Sequence, residues 1–170
     1  HIVFINNAGS LGHLGPCAES PSLADMRGSV DLNITSALWT SVRFARFAKE
    51  SAPNAAVTTI VNISSLAAIQ VLPTMGIYAA GKAARNHYHA TLAKELEGST
   101  KNSKVLNYAP GPLDTDMAAA FLSADNLNAD LKPNFQQQLV DPDDSASKLV
   151  ELLAMRDFES GHHIDYYDLI

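Results

Sequence analysis

Cysteine is nearly absent from this 170-residue chain: Cys17 is the only one, so no disulfide forms within it, and a reducing compartment, the cytoplasm, is the expectation. Positive charge is also scarce, with 12 Lys and Arg against 18 Asp and Glu and a net charge of −6. Such a surface repels phosphate backbones and anionic lipid, which argues against nucleic acid or a membrane as partner. Long apolar runs are missing too. The charge-free stretch 51–81 is interrupted by Pro53, Asn54, Asn62, Ser64, Ser65, Gln70 and Pro73, far from the ~20 apolar residues of a spanning helix. The chain opens with His1 and a short apolar run, unlike a secretory signal. Without an initiating Met, it reads as a piece of something longer.

What is present is enough for one globular domain. With 46% apolar and 18% charged residues, disorder and low-complexity architectures are excluded. Ile2-Val3-Phe4-Ile5 runs into Asn6-Asn7-Ala8-Gly9, the pattern of a doubly buried strand that ends in a turn. The spacing predicts a helix over 31–49 with two uncharged faces, one of Ile34, Leu38, Val42 and Ala45, the other of Ala37, Ser41, Phe44 and Ala48. A second strand is predicted over 57–63, bounded by Pro53-Asn54 and Ser64-Ser65, then a helix over 77–97 that stops at Gly98-Ser99. A third strand, 105–109, closes at Pro110-Gly111-Pro112. Asp141-Pro142-Asp143-Asp144 opens a further helix through Leu149, Leu152 and Leu153, and 161–167 forms a last strand. This alternation implies an α/β doubly wound parallel sheet.

Tyr78 and Lys82 stand four apart on the predicted helix, so they project from one face. An ammonium close to a phenol stabilises phenolate and lowers the pKa of an acid normally near 10. Alone, the pair is weak: five tyrosines give a Tyr-x-x-x-Lys by chance roughly a quarter of the time. Ser65 strengthens it, because it ends a buried strand, where parallel sheets place ligand-contacting groups.

Asn7-Ala8-Gly9, Asn33, Ser65, Tyr78, Lys82 and Pro110-Gly111, in that order, resemble the short-chain dehydrogenase/reductase family. The Ile5 to Gly12 stretch, Val61-Asn62-Ile63-Ser64-Ser65-Leu66, Ala80-Gly81-Lys82-Ala83-Ala84-Arg85, residues 105–117 and the ending from Ser160 to Asp168 resemble its branch that reduces side-chain ketones of pterins in tetrahydrobiopterin synthesis. The resemblance implies a Rossmann-like reductase domain, NADPH as cofactor, a pterin or other dicarbonyl as substrate, and a homodimer. Tyr78 would then protonate the carbonyl oxygen as hydride arrives, with Ser65 bonding that oxygen. Lys82 would hold the nicotinamide ribose, and Asn33 would anchor the water that resupplies the proton. Asn7, Ala8, Gly9, Leu113, Asp114, Thr115, Asp116 and Met117 would line the cofactor, and Leu66, Gly111 and Asp165 the substrate. Without the resemblance, residues 110–117 read as a strand-ending turn followed by a helix capped by Thr115.

Other patterns carry little. Asn33-Ile34-Thr35 and Asn62-Ile63-Ser64 match the glycosylation acceptor, but they fall in elements predicted to be buried. His87 and His89 face different ways on a helix, and His162-His163 alternate across a strand, so no metal site is expected. A Gly-x-Ser-x-Gly elbow is also missing. The family's opening strand, Gly-rich turn and helix, which bind pyrophosphate, have no counterpart here, so the domain reads as incomplete, the C-terminal part of a reductase. A non-catalytic short subunit docking on a full-length partner is the rival reading.

Overall fold

The structure is a computed structural model that describes residues 1–19, 22–51, 57–97 and 102–170. The two expected boundaries Pro53-Asn54 and Gly98-Ser99 lie outside the described residues. Four parallel strands, β1 (Ile2–Asn6), β2 (Thr58–Ile63), β3 (Ser103–Ala109) and β4 (His163–Asp165), form a sheet in sequential order. The helices are α1 (Leu23–Val30), α2 (Ser36–Ser51), α3 (Gly76–Glu97), α4 (Asp116–Ser123), α5 (Leu131–Gln137) and α6 (Pro142–Met155). Among the described residues no helix is long and apolar enough to cross a membrane.

Strand alternation sorts the core into two layers. Ile60 and Val105 face α3, joining Leu92, Ala93 and Leu96, while Val61, Leu106 and Tyr108 face α6, joining Leu149, Leu152 and Leu153. The first two crossovers therefore run over one face and the β3-to-β4 connection over the other. Since the strand order is sequential, that last crossover has the opposite hand to the first two, a departure from the usual uniform handedness.

Both faces expected for the helix over 31–49 are occupied, by different neighbours. Ala37, Ser41 and Ala48 are buried toward the sheet, where Phe44 stacks on Phe4 at 5.1 Å. The Ile34 face is half-buried and turns toward α3 at Gly81. The helix also begins earlier than its periodicity suggests, at Leu23, where Ser22 caps the first turn, and it passes through a π-helical turn at Asp31–Thr35 into α2. Local hydrogen bonding by Ser22 supplies a start signal that apolar spacing does not register.

One further expectation is corrected. The last strand is only three residues long, because Asp165 caps a 3-10 turn, Tyr166–Leu169, by accepting from the Tyr167 N–H. Within 118–140, α4 and α5 pack Phe121 on Phe135 with ring centroids 4.4 Å apart. Leu113 pairs with Val140, so the stretch between them is pinned at its base. α6 starts as predicted, with Asp141 as cap and Pro142 in its first turn.

Candidate active site

Each of the first three strands carries the same pattern at or near its carboxyl end on the α3 side: Phe4-x-Asn6, Ile60-x-Asn62 and Val105-x-Asn107. The three asparagines share one register and are buried. Asn62 Nδ2 donates to Asn107 Oδ1 at 2.9 Å, and Asn6 Nδ2 donates to Ser41 Oγ at 3.0 Å and to Ala37 O at 2.7 Å. This polar row fixes the strand ends from which the site loops spring, and each amide finds the partners that burial demands.

Ser65 follows β2 and caps a 3-10 turn, Leu66–Ala68, accepting from the Ala67 N–H at 3.2 Å. Opposite it, Tyr78 is buried on the first turn of α3, near enough for the Ser65 side chain to act on its phenol. Lys82, one turn on, is also buried. Its Nζ donates to Ile63 O at 2.7 Å and lies 5.6 Å from the centre of the Tyr78 ring. The structure thus brings Ser65, Tyr78 and Lys82 together at the carboxyl end of the sheet.

Their electrostatics differ from the simple Tyr–Lys picture. Burial pushes the Tyr78 phenol above its ordinary value, while the Ser65 side chain and the Arg85 charge pull it back. Burial and then Arg85 bring Lys82 down to about 7. Near neutrality Lys82 is thus only partly charged, so the permanent cation beside the phenol is Arg85.

Asn33 sits buried in the π turn. Its Oδ1 accepts from the Ser10 N–H at 2.8 Å and its Nδ2 donates to Ser10 O at 3.0 Å. Its side chain therefore braces the loop after β1. Gly9 and Gly81 make this close packing feasible: a Cβ at Gly9 would lie 3.2 Å from Asn33 Oδ1, and one at Gly81 3.2 Å from Asn33 Cβ.

On the far side of the cluster, Pro110 O accepts from Ser145 Oγ at 2.8 Å, and Gly111 has φ +77. A side chain at Gly111 would meet Val140, Tyr166 and Tyr167. Asp114 N–H donates to Val140 O, Thr115 caps α4, Asp116 lies in its first turn, and Met117 is exposed. Leu66 is exposed beside Ser65. Asp165 stands at the end of β4 with one carboxylate oxygen 3.0 Å from the Tyr167 N–H it caps. A shallow concavity of about 350 Å³ lined by Val140, Tyr166 and Tyr167 adjoins this side without containing Ser65 or Tyr78.

The donor set fits the nicotinamide ribose of a dinucleotide. Of the three Lys82 N–H groups, one meets a carbonyl among the described residues, leaving donors for vicinal hydroxyls. Sequence reading assigned no role to Arg85, Asn86 or His89. The signal for two of them was available, since Tyr78, Lys82, Arg85 and His89 lie on one face at helical spacing, a polar stripe where a sheet-facing helix should be apolar.

Residues 2–126 match the short chain dehydrogenase family. The chain is 40% identical to the sepiapterin reductase of Rattus norvegicus, covering 99% of this chain and 64% of that protein. It is 30% identical to the benzil reductase ((S)-benzoin forming) of Bacillus subtilis (strain 168), over 89% of this chain and 63% of that one. The chain thus spans less than two thirds of the length of these relatives. In fold it is similar to a 3-ketoacyl-(acyl-carrier-protein) reductase from Brucella melitensis complexed with NADH, with a TM-score of 0.81 at 21% identity, over 97% of this chain and 65% of that one. With the family match running through the Ser65–Tyr78–Lys82 cluster, the chain belongs to the short-chain dehydrogenase family.

Proposed function

We propose that the protein is an NADPH-dependent carbonyl reductase whose substrate is a side-chain ketone of a pterin, as the similarity to sepiapterin reductase suggests. The observation that carries the reading is the meeting of Ser65, Tyr78 and Lys82 at the carboxyl end of the sheet. A reduced nicotinamide held by Lys82 would, when bound, supply the hydride that the carbonyl carbon takes up. As the C=O electron pair moves onto oxygen, Tyr78 gives that oxygen its phenolic proton and Ser65 holds it by a hydrogen bond. A phenol kept protonated by burial suits an acid in the reductive direction. Lys82 orients the ribose, and water beside Asn33 returns a proton to Tyr78. Since the Asn33 side chain already engages Ser10 through both its ends, its main-chain carbonyl is assigned to that water.

Asn7, Ala8 and Gly9 on one side and Leu113, Asp114, Thr115, Asp116 and Met117 on the other form the cofactor walls of this reading. Leu66, Gly111 and Asp165 face the substrate. A second reading, a reductase of other dicarbonyls, is favoured by the similarity to benzil reductase. NADPH oxidation by the full-length protein, followed with sepiapterin and with a small diketone, separates the two. Tyr78→Phe is expected to cut turnover about a hundredfold or more with NADPH affinity nearly unchanged, and near-normal turnover would overturn the catalytic reading.

A further inference from the structure

Arg85 is the largest wholly buried side chain among the described residues. Its Nε donates to Asn62 Oδ1 at 2.7 Å, its Nη1 to Ala8 O at 2.7 Å and its Nη2 to Asn6 O at 2.6 Å. All three acceptors are neutral. Among the described residues no carboxylate forms an ion pair with it. Burying a guanidinium without a counter-ion is costly, and a purely structural tie between these oxygens would need only neutral donors.

The position of the bonds gives the charge a use. Two of them end on carbonyls of the segment from Asn6 to Ala8, which leads into Gly9, and a Cβ at Gly9 would lie 3.7 Å from Arg85 Nη1. Arg85 is three residues beyond Lys82 and seven beyond Tyr78, so it shares their helix face. One guanidinium thereby joins β1, β2, the loop after β1 and the helix of the candidate acid. A lysine could not make this junction, having one point of donation in place of a rigid fork.

We propose that Arg85 is a positioning residue for the reduction: it clamps the loop that begins Asn7-Ala8-Gly9 to the helix bearing Tyr78 and Lys82, and it keeps a permanent positive charge behind the phenol. The inference rests on the reductase reading and adds a residue that this reading does not use. Arg85 sets the separation between the cofactor-side loop and the proton donor, a distance on which hydride and proton transfer both depend. Its charge also works where Lys82 loses its own, because a guanidinium stays protonated at any pH the enzyme meets.

The groups that act on the phenol are Ser65, from the turn after β2, and Arg85, on its own helix. Lys82 Nζ lies 5.6 Å from the ring centre, and farther along α3 stand His89 and Asn86, whose Nδ2 lies 2.8 Å from His163 Nδ1 of β4. His89 is held neutral near neutrality, since burial brings it down to about 4. Arg85 is accordingly the source of fixed charge here, and its removal should raise the pH at which Tyr78 stops acting as an acid.

The test compares Arg85→Lys and Arg85→Met with wild type in the full-length protein. Arg85→Lys is expected to weaken NADPH binding about tenfold by fluorescence titration, as one or more buried bonds are lost. It should also speed amide hydrogen exchange at residues 7–10 in the cofactor-free protein. Arg85→Met is expected, in addition, to move the basic limb of the kcat profile upward by about half a unit or more, which a merely structural tie would not do. Should Arg85→Met fail to fold, affinity and exchange in Arg85→Lys decide. Wild-type affinity and exchange in Arg85→Lys overturn the clamp, and an unmoved limb in folded Arg85→Met overturns the role of the charge. If wild type reduces ketones and Tyr78→Phe does not, those results sink this inference alone; if wild type reduces none, the reductase reading falls and takes the inference with it.

Discussion

Asp165 has a structural role in the fold and, in the proposed function, a second role toward the substrate, and a single substitution separates the two. Its carboxylate caps the turn after β4, and a pterin edge, with an amino group beside a ring N–H, presents two donors that the same carboxylate could accept. Asparagine is about as good a cap as aspartate. Asp165→Asn should therefore leave the turn intact while lowering kcat/KM for sepiapterin about 10–150-fold, or roughly 1.5–3 kcal/mol. A small diketone lacking those donors should be reduced almost normally. Equal losses on both substrates would assign Asp165 to the fold, and no loss on either would remove it from the pterin site.

His89 makes a second prediction at the same scale. Its Nδ1 lies 2.8 Å from Arg85 O, which only accepts, so that nitrogen carries the proton, and Nε2 accepts from Ser41 Oγ at 2.8 Å. Burial lowers its pKa from 6.5 to about 4. As pH falls below 6.5 the unfolded chain takes up a proton that the folded chain refuses, so stability drops from about pH 6.5 to about 4 and then levels. The loss attributable to His89 is roughly 3 kcal/mol. Urea unfolding at a series of pH values should show this slope in wild type and a flatter one in His89→Gln; parallel curves would refute it.

At the scale of elements, helix surface beyond what the sheet covers points to a partner. The surplus lies on the run from α1 to α2, where Leu23, Trp39 and Phe47 are 62%, 57% and 45% exposed. α3 contributes little, since its exposed positions are Ala80, His87, Thr91, Lys94, Glu95 and Glu97. A homodimer through these helices, the arrangement expected from the family resemblance, would cover that surface. Analytical ultracentrifugation of the full-length protein at micromolar concentration should show a dimer, and Trp39→Lys with Phe47→Lys should shift it to monomer. A wild-type monomer at that concentration would end the proposal.

For the molecule as a whole, the question is how much of a dinucleotide these residues grip. In the proposed reading the Lys82 donors serve the nicotinamide ribose, whereas pyrophosphate needs a Gly-rich turn that leads from an opening strand into a helix N-terminus, a pattern with no counterpart in the sequence of these 170 residues. β1 also forms one edge of the sheet, with Val3 and Ile5 37% and 49% exposed. A chain of these 170 residues alone is expected to bind NADPH weakly and to show negligible reduction, because each missing charge-assisted hydrogen bond is worth roughly 1.5–3 kcal/mol. Fluorescence titration of that chain checks this, and a micromolar Kd would contradict it.

Apolar spacing, with the turn and cap residues beside it, determined the order of the four strands and of α2, α3 and α6, because that spacing records which faces are buried; α1 and α5 left no such signal. It also placed Tyr78 and Lys82 on one helix face, and the end of β2 put Ser65 within reach of them. The sequence could not say that Arg85, rather than Lys82, holds the permanent charge, since that depends on which cation burial discharges and which it leaves fixed. Nor could it show Asn33 committed to Ser10, the asparagines aligned in one register, or the last crossover taking the opposite face. Those features arise from contacts between residues dozens of positions apart, and only tertiary packing brings such groups within hydrogen-bond distance.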